Sequence, residues 1–196
     1  MSSELTRQDV AIAGHTGDVA TAKQGFAAGD PDVRATALTA LHRLGQLTDE
    51  GVRAGLDDPE ATVRNRAAHL AAQRPGVDLL AALGDDNWQV VETAAWAVGE
   101  QSEVVELADA TVSAVVALAT EHREPLVREA AIAALGAIGD ERGLAAILAG
   151  THDKPAVRRR AVIALTPFDG PEVEAALERA RTDHDWQVRD AAQDLM

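Results

Sequence analysis

The chain of 196 residues has no cysteine and no tyrosine, and its only lysines are Lys23 and Lys154. Without thiols there is no disulfide framework, thiolate nucleophile or thiolate metal site. Three tryptophans and two phenylalanines are all the aromatics it has, which argues against an aromatic-lined ligand pocket. No apolar run reaches the roughly 18 uncharged residues of a membrane span. The segment Met1 to Asp9 lacks the basic and apolar regions of a secretory signal, so a cytoplasmic location is the simplest expectation. Positive charge is also scarce: 18 Lys and Arg face 32 Asp and Glu, a formal net charge of −14. Nucleic acid and anionic membranes, whose binding requires neutralised phosphate, are therefore poor partners. The acidic, alanine-rich, lysine-poor composition suits either a high-GC coding sequence or a salty cytoplasm.

What the chain does contain is a repeat. Val33, Val63, Val90, Val127, Val157 and Val188 follow one another at intervals of 30, 27, 37, 30 and 31 residues. The next position is Arg34, Arg64, Arg128, Arg158 and Arg189, with Val91 the exception. Four residues after each valine stands an alanine: Ala37, Ala67, Ala94, Ala131, Ala161 and Ala192. Further apolar residues follow, as in Ala40 and Leu41 or Ala134 and Leu135. This spacing is one apolar stripe of an α-helix. Two helices in about 30 residues, repeated, is the mark of a stacked solenoid. An alanine held at one position in every unit predicts the place where helices cross most closely.

In chain order, residues 1–28 predict a degenerate first pair: a helix over Leu5–Ile12 closed by Gly14-His15-Thr16-Gly17, then one over Val19–Ala28 capped by Asp18. Asp30-Pro31 opens a helix to Leu44, with Asp49–Leu56 as its partner. Asp58-Pro59 opens the second unit, with helices over Thr62–Gln73 and Val77–Leu83. The third begins at Trp88 and carries an insertion, Gln101 to Asp109, before a helix from about Ala110 to Thr120. The fourth and fifth start at Pro125 and Pro155, and Glu172–Arg181 follows. A single helix within 184–196 closes the chain as a cap with a wetted outer face. The expectation is one all-α domain over 1–196, an alpha-alpha superhelix of about thirteen helices in six to seven repeats.

The pattern Asp-Pro-x-Val-Arg-x-x-Ala-x-x-Ala-Leu, then Gly-x-x-Gly-Asp, is carried best by residues 125–140. It recurs well at 30–45 and 153–165 and partly at 58–71, 86–98 and 185–195. It resembles the HEAT-like repeat of the bilin-lyase (PBS-lyase) type, an armadillo-like solenoid. The resemblance implies arginines that bridge adjacent repeats; it implies no single function. The related deoxyhypusine hydroxylases bind iron through His-Glu dipeptides, and this chain has none. Alkyl-purine DNA glycosylases of similar helices use Trp and Asp in a basic groove, which a charge of −14 opposes. Here Trp88 and Trp186 stand at the repeat's proline position, predicting packing at helix starts. A bilin lyase needs a tetrapyrrole pocket, which so few aromatics do not supply.

Other chemistry is equally thin. His122, His152 and His184 recur before the repeat origin, but equivalent atoms of stacked helices lie about 8–10 Å apart, too far for easy shared coordination. They read as turn and capping groups. No Ser/His/Asp set or phosphate-cradling loop is present. No catalytic residue, metal or cofactor is expected. The sequence favours a non-catalytic scaffold or adaptor that binds a protein or peptide, with a basic patch, on a concave surface lined by second helices. A lyase- or oxidoreductase-associated enzyme or accessory subunit is the alternative. The departures from the repeat fall in the third unit, so the expected contacts are Trp96, Glu100, Glu103 and Glu106.

Overall fold

Aspartate, threonine and asparagine side chains cap six of the twelve α-helices in a computed structural model that describes residues 4–195. Each satisfies an orphan backbone N–H of the first turn, which water would otherwise have to do. Among the described residues there are twelve α-helices, two short 3₁₀ helices and no strands. The chain forms two compact units, residues 1–82 and 83–196.

The first unit contains α1 (Arg7–Thr16), α2 (Val19–Phe26), α3 (Pro31–Arg43), α4 (Asp49–Leu56) and α5 (Ala61–Ala71). Thr6 and Asp9 cap α1 reciprocally, and Asp18 accepts from Thr21 N–H at 3.0 Å to start α2. Helix α1 runs past the expected end at Ile12 and stops at Gly17, which takes the left-handed conformation with φ 88°. Gly14 is a packing residue instead: a Cβ there would lie 2.9 Å from Ala40 Cα on α3. At its other end α2 stops at Phe26 rather than Ala28.

The second unit contains α6 (Trp88–Ser102), α7 (Asp109–Glu121), α8 (Pro125–Ile138), α9 (Leu144–Gly150), α10 (Pro155–Ala164), α11 (Pro171–Ala180) and α12 (Trp186–Gln193). Helices α6, α8, α10 and α12 stack as first helices, with α7, α9 and α11 packed beside them. Three of the nine residues of the expected insertion are helical, because α6 continues through Ser102, burying Gln101, and α7 starts at Asp109. Only residues 103–108 are irregular. The cap helix ends at Gln193; the expected helical residue Met196 lies outside the described residues.

The core is the predicted stripe. All six origin valines are at most 2% exposed, and all six alanines four residues on are fully buried. The alanine rule has a visible cause. A Cβ on Gly55 of α4 would stand 2.9 Å from Ala67 Cβ, and one on Gly150 of α9 would stand 3.2 Å from Ala161 Cβ. Helices α4 and α9 therefore cross the following first helix at glycine over alanine, and a larger side chain on either would push the axes apart. Successive first helices are just as close: a Cβ on Gly136 of α8 would lie 2.8 Å from Ala164 Cα of α10.

Twelve helices rather than thirteen reflect one failure of the pattern. Residues 77–81 make no α-helix, and only the 3₁₀ turn Ala82–Gly84 follows them. Pro75-Gly76 breaks the chain, and Asp78 accepts from Leu80 N–H at 2.9 Å in a turn of its own. Val77, Leu79 and Leu83 are still buried, so apolar burial is kept without a helix. The Asp78 bond offers the backbone a local alternative to the first helical turn.

Candidate functional site

The polar residues with a fixed repeat phase are mostly used to join repeats. The Arg34 guanidinium donates from Nε to Asp58 Oδ2 and from Nη2 to Asp58 Oδ1, each at 2.8 Å. Arg128 makes the same fork with Asp153 at 2.5 and 2.7 Å, and Arg158 with Asp183 at 2.8 and 2.6 Å. The remaining Nη1 turns back to the carbonyls that precede its own helix: Ala28 and Gly29 for Arg34, His122 and Arg123 for Arg128. Each aspartate also accepts a backbone N–H from its own turn, such as Glu60 N–H on Asp58 Oδ1 at 2.9 Å. Five donors in a rigid plane meet this geometry and an ammonium does not, which explains a ladder of arginine in a chain almost without lysine.

These pairs are mostly shielded; the Arg34 and Asp58 side chains are 14% and 9% exposed. The hydrogen bonds from arginine hold the carboxyls of Asp58, Asp153 and Asp183 below the usual range, against an opposing push from burial. The same bonds raise the partner arginines further. On the surface, Arg142 holds the Asp140 carboxyl down to about 2. Such groups are locked as ions and are poor proton shuttles.

The histidines are turn groups. His122 Nδ1 accepts from Glu124 N–H at 3.1 Å, and the His184 carbonyl accepts from Arg189 at 3.1 Å. His152 Nε2 lies 3.5 Å from Arg179 Nη2 at a cleft between the ends of α9 and α11. Among the described residues no group of three or more His, Asp or Glu is arranged to hold a metal ion, and no helix is long and apolar enough to cross a membrane.

Of the expected contact residues, Trp96 and Glu100 lie one turn apart on α6 and share an exposed face. Trp96 is 36% exposed. It sits about 200° around the helix from the fully buried Ala94. Trp96 therefore lies on the side of α6 away from its buried alanine. Glu103 is the C-cap of α6, and Glu106 lies in the irregular segment after it; both are exposed. The structure thus joins Trp96 with Glu100 on one surface and sets the other two beyond the helix end.

Trp186 departs from expectation. Instead of packing at a helix start it is 63% exposed, while Trp88 at the equivalent position is half-buried. It stands over a groove between α10 and α12 of about 430 Å³, lined by Arg159, Ile163, Asp190, Asp194 and Leu195 among others. The sequence hid this because the proline position looks structural. Its one signal was the polar run Gln193-Asp194, which marks α12 as the end of a stack.

Residues 76–154 match the HEAT repeats family. No curated protein matches the chain. A designed armadillo repeat protein, 18% identical, aligns over 89% of this chain and 97% of its own with TM-score 0.65. Another, solved in complex with peptide (KR)4, is 19% identical over 97% of both chains with TM-score 0.62. The chain has the fold of an armadillo-type solenoid, and the part of it over residues 76–154 is similar to HEAT repeats.

Proposed function

We propose that the protein is a non-catalytic scaffold or adaptor whose partner is a protein or peptide segment with a basic patch. The observation that carries this reading is the division of labour among charges. Arg34, Arg128 and Arg158 are each held in a joint by one aspartate, so the excess of 14 negative charges is left to the surface. Complementary potential favours a cationic partner and speeds its association. That a solenoid of similar fold holds a Lys/Arg-alternating peptide supports the same class of partner. A cytoplasmic location fits this role.

The contact surface in this proposal is the exposed face of α6, with Trp96 as anchor beside Glu100, and with Glu103 and Glu106 extending the negative field. An aromatic anchor that becomes covered dominates binding energy, whereas rim charges act on rate and salt dependence. Titration with a synthetic (Lys-Arg)4 peptide at low salt tests it. Binding should weaken as salt rises, and Trp96→Ala should weaken it by more than about 1 kcal/mol. Unchanged affinity in Trp96→Ala would remove that face from the site.

A further inference from the structure

We infer that the groove between α10 and α12 is a separate docking site that takes one lysine or arginine side chain of a basic peptide. The inference rests on the reading that the partner is basic, and it assigns that partner a surface in a different repeat from Trp96.

Nothing in the fold requires an exposed indole at residue 186. The start of α12 is already satisfied by Asp185, which accepts from Gln187 N–H at 2.8 Å. Proline serves at the same position of α3, α8 and α10. Trp186 nevertheless keeps 63% of its surface open beside Ile163, which is 36% exposed, and half-buried Leu195. Those side chains form a floor for the methylene stem of a long cation and a π-face for its charge.

The carboxylates supply the sign. Asp190 and Asp194 are exposed, one turn apart on α12, and line the groove. Among the described residues neither side chain meets a cation, in contrast to Asp153 and Asp183. Like charges at this spacing repel, and a cation seated between them and the indole removes that repulsion. Arg159 on the α10 wall, also without an ion pair among the described residues, sets the limit: it repels a second positive side chain, so the groove accepts one. A second copy of this chain, at −14, is opposed by charge.

The test follows the three indole N–H resonances of the isotope-labelled full chain, assigned by Trp→Phe variants, during titration with (Lys-Arg)4. The Trp186 resonance should move saturably. Trp186→Ala should weaken binding about fivefold, and Asp190→Asn with Asp194→Asn about threefold to tenfold. Removing two charges from α11, Glu172→Gln with Glu174→Gln, should leave affinity within about twofold, because exposed distant charges are screened. If the peptide binds while the Trp186 resonance stays still, or if the α11 pair matters as much as the α12 pair, the groove is overturned and the basic-partner reading survives. If the peptide fails to bind at low salt, both fall.

Discussion

Two joints inside the second unit solve the same packing problem with different chemistry. Between α8 and α10, Gly136 meets Ala164 at close range and Arg128 forks onto Asp153. Between α6 and α8 the close crossing is kept, with Gly99 against Ala134, but the fork is gone. Val91, 2% exposed, stands where the arginine would be, and His122 stands where its aspartate would be. His122 keeps only the aspartate's second task, accepting Glu124 N–H. Helix contact at glycine over alanine is the element these two joints share. The ion pair is an accessory whose two halves are present together or absent together, as expected if a shielded charge without its partner is costly.

The sharpest way to break that comparison is to install half of the missing fork. Val91→Arg places an unpaired guanidinium in a buried position and should destabilise the protein by about 3 kcal/mol or more in denaturant unfolding. His122→Asp alone should change stability by less than about 1 kcal/mol, since aspartate also accepts the turn N–H. The double variant should recover more than the sum allows, with a coupling of about 1–2 kcal/mol. Strict additivity would mean that the two positions do not face each other as the other joints imply.

The same contrast explains what could be read in advance. Repeat phase, buried valines, arginine bridges and most helix starts were legible because each follows from local spacing and cap chemistry. Gly14 was misread as part of a stop because breaking a helix and allowing close approach look alike in sequence. The absent helix at 77–83 was hidden because its apolar residues are buried as expected, only on a turn. At the candidate site, Trp96 was singled out because it lies in the unit that departs from the repeat. Trp186 was not, because its position in other repeats holds proline. Surface anchors have no period, and periodicity was the main source of information.

A smaller effect comes from cutting a fork that exists. Arg158→Ala leaves Asp183 shielded without its arginine and should cost about 2 kcal/mol. The pH profile identifies the cause. The folded carboxyl of Asp183 is held below its ordinary value of about 3.9, so the unfolded chain binds protons more readily. The pair's contribution is thus present above about pH 4 and lost as pH falls through the depressed folded value. Wild type and Arg158→Ala should differ most near neutrality and converge in acid. A gap that persists at pH 2 would assign the loss to packing of the arginine stem.

The smallest effect is expected at the end of the stack. Arg189 donates from Nη1 to the carbonyls of Asp183 and His184 at 2.7 and 3.1 Å. Among the described residues its Nε and Nη2 meet no carboxylate. One turn further along α12, Gln193 is exposed where Leu38, Ala68, Ala95, Ile132 and Val162 are fully buried in earlier units. A polar residue at the stacking position and an open fork occur together on α12. Arg189→Ala therefore loses only bonds to turn carbonyls that water can replace, and should cost less than about 1 kcal/mol. Urea unfolding of Arg158→Ala and Arg189→Ala side by side measures the difference. Equal losses would show that gripping its own turn, and not bridging to the next repeat, is what the arginine contributes.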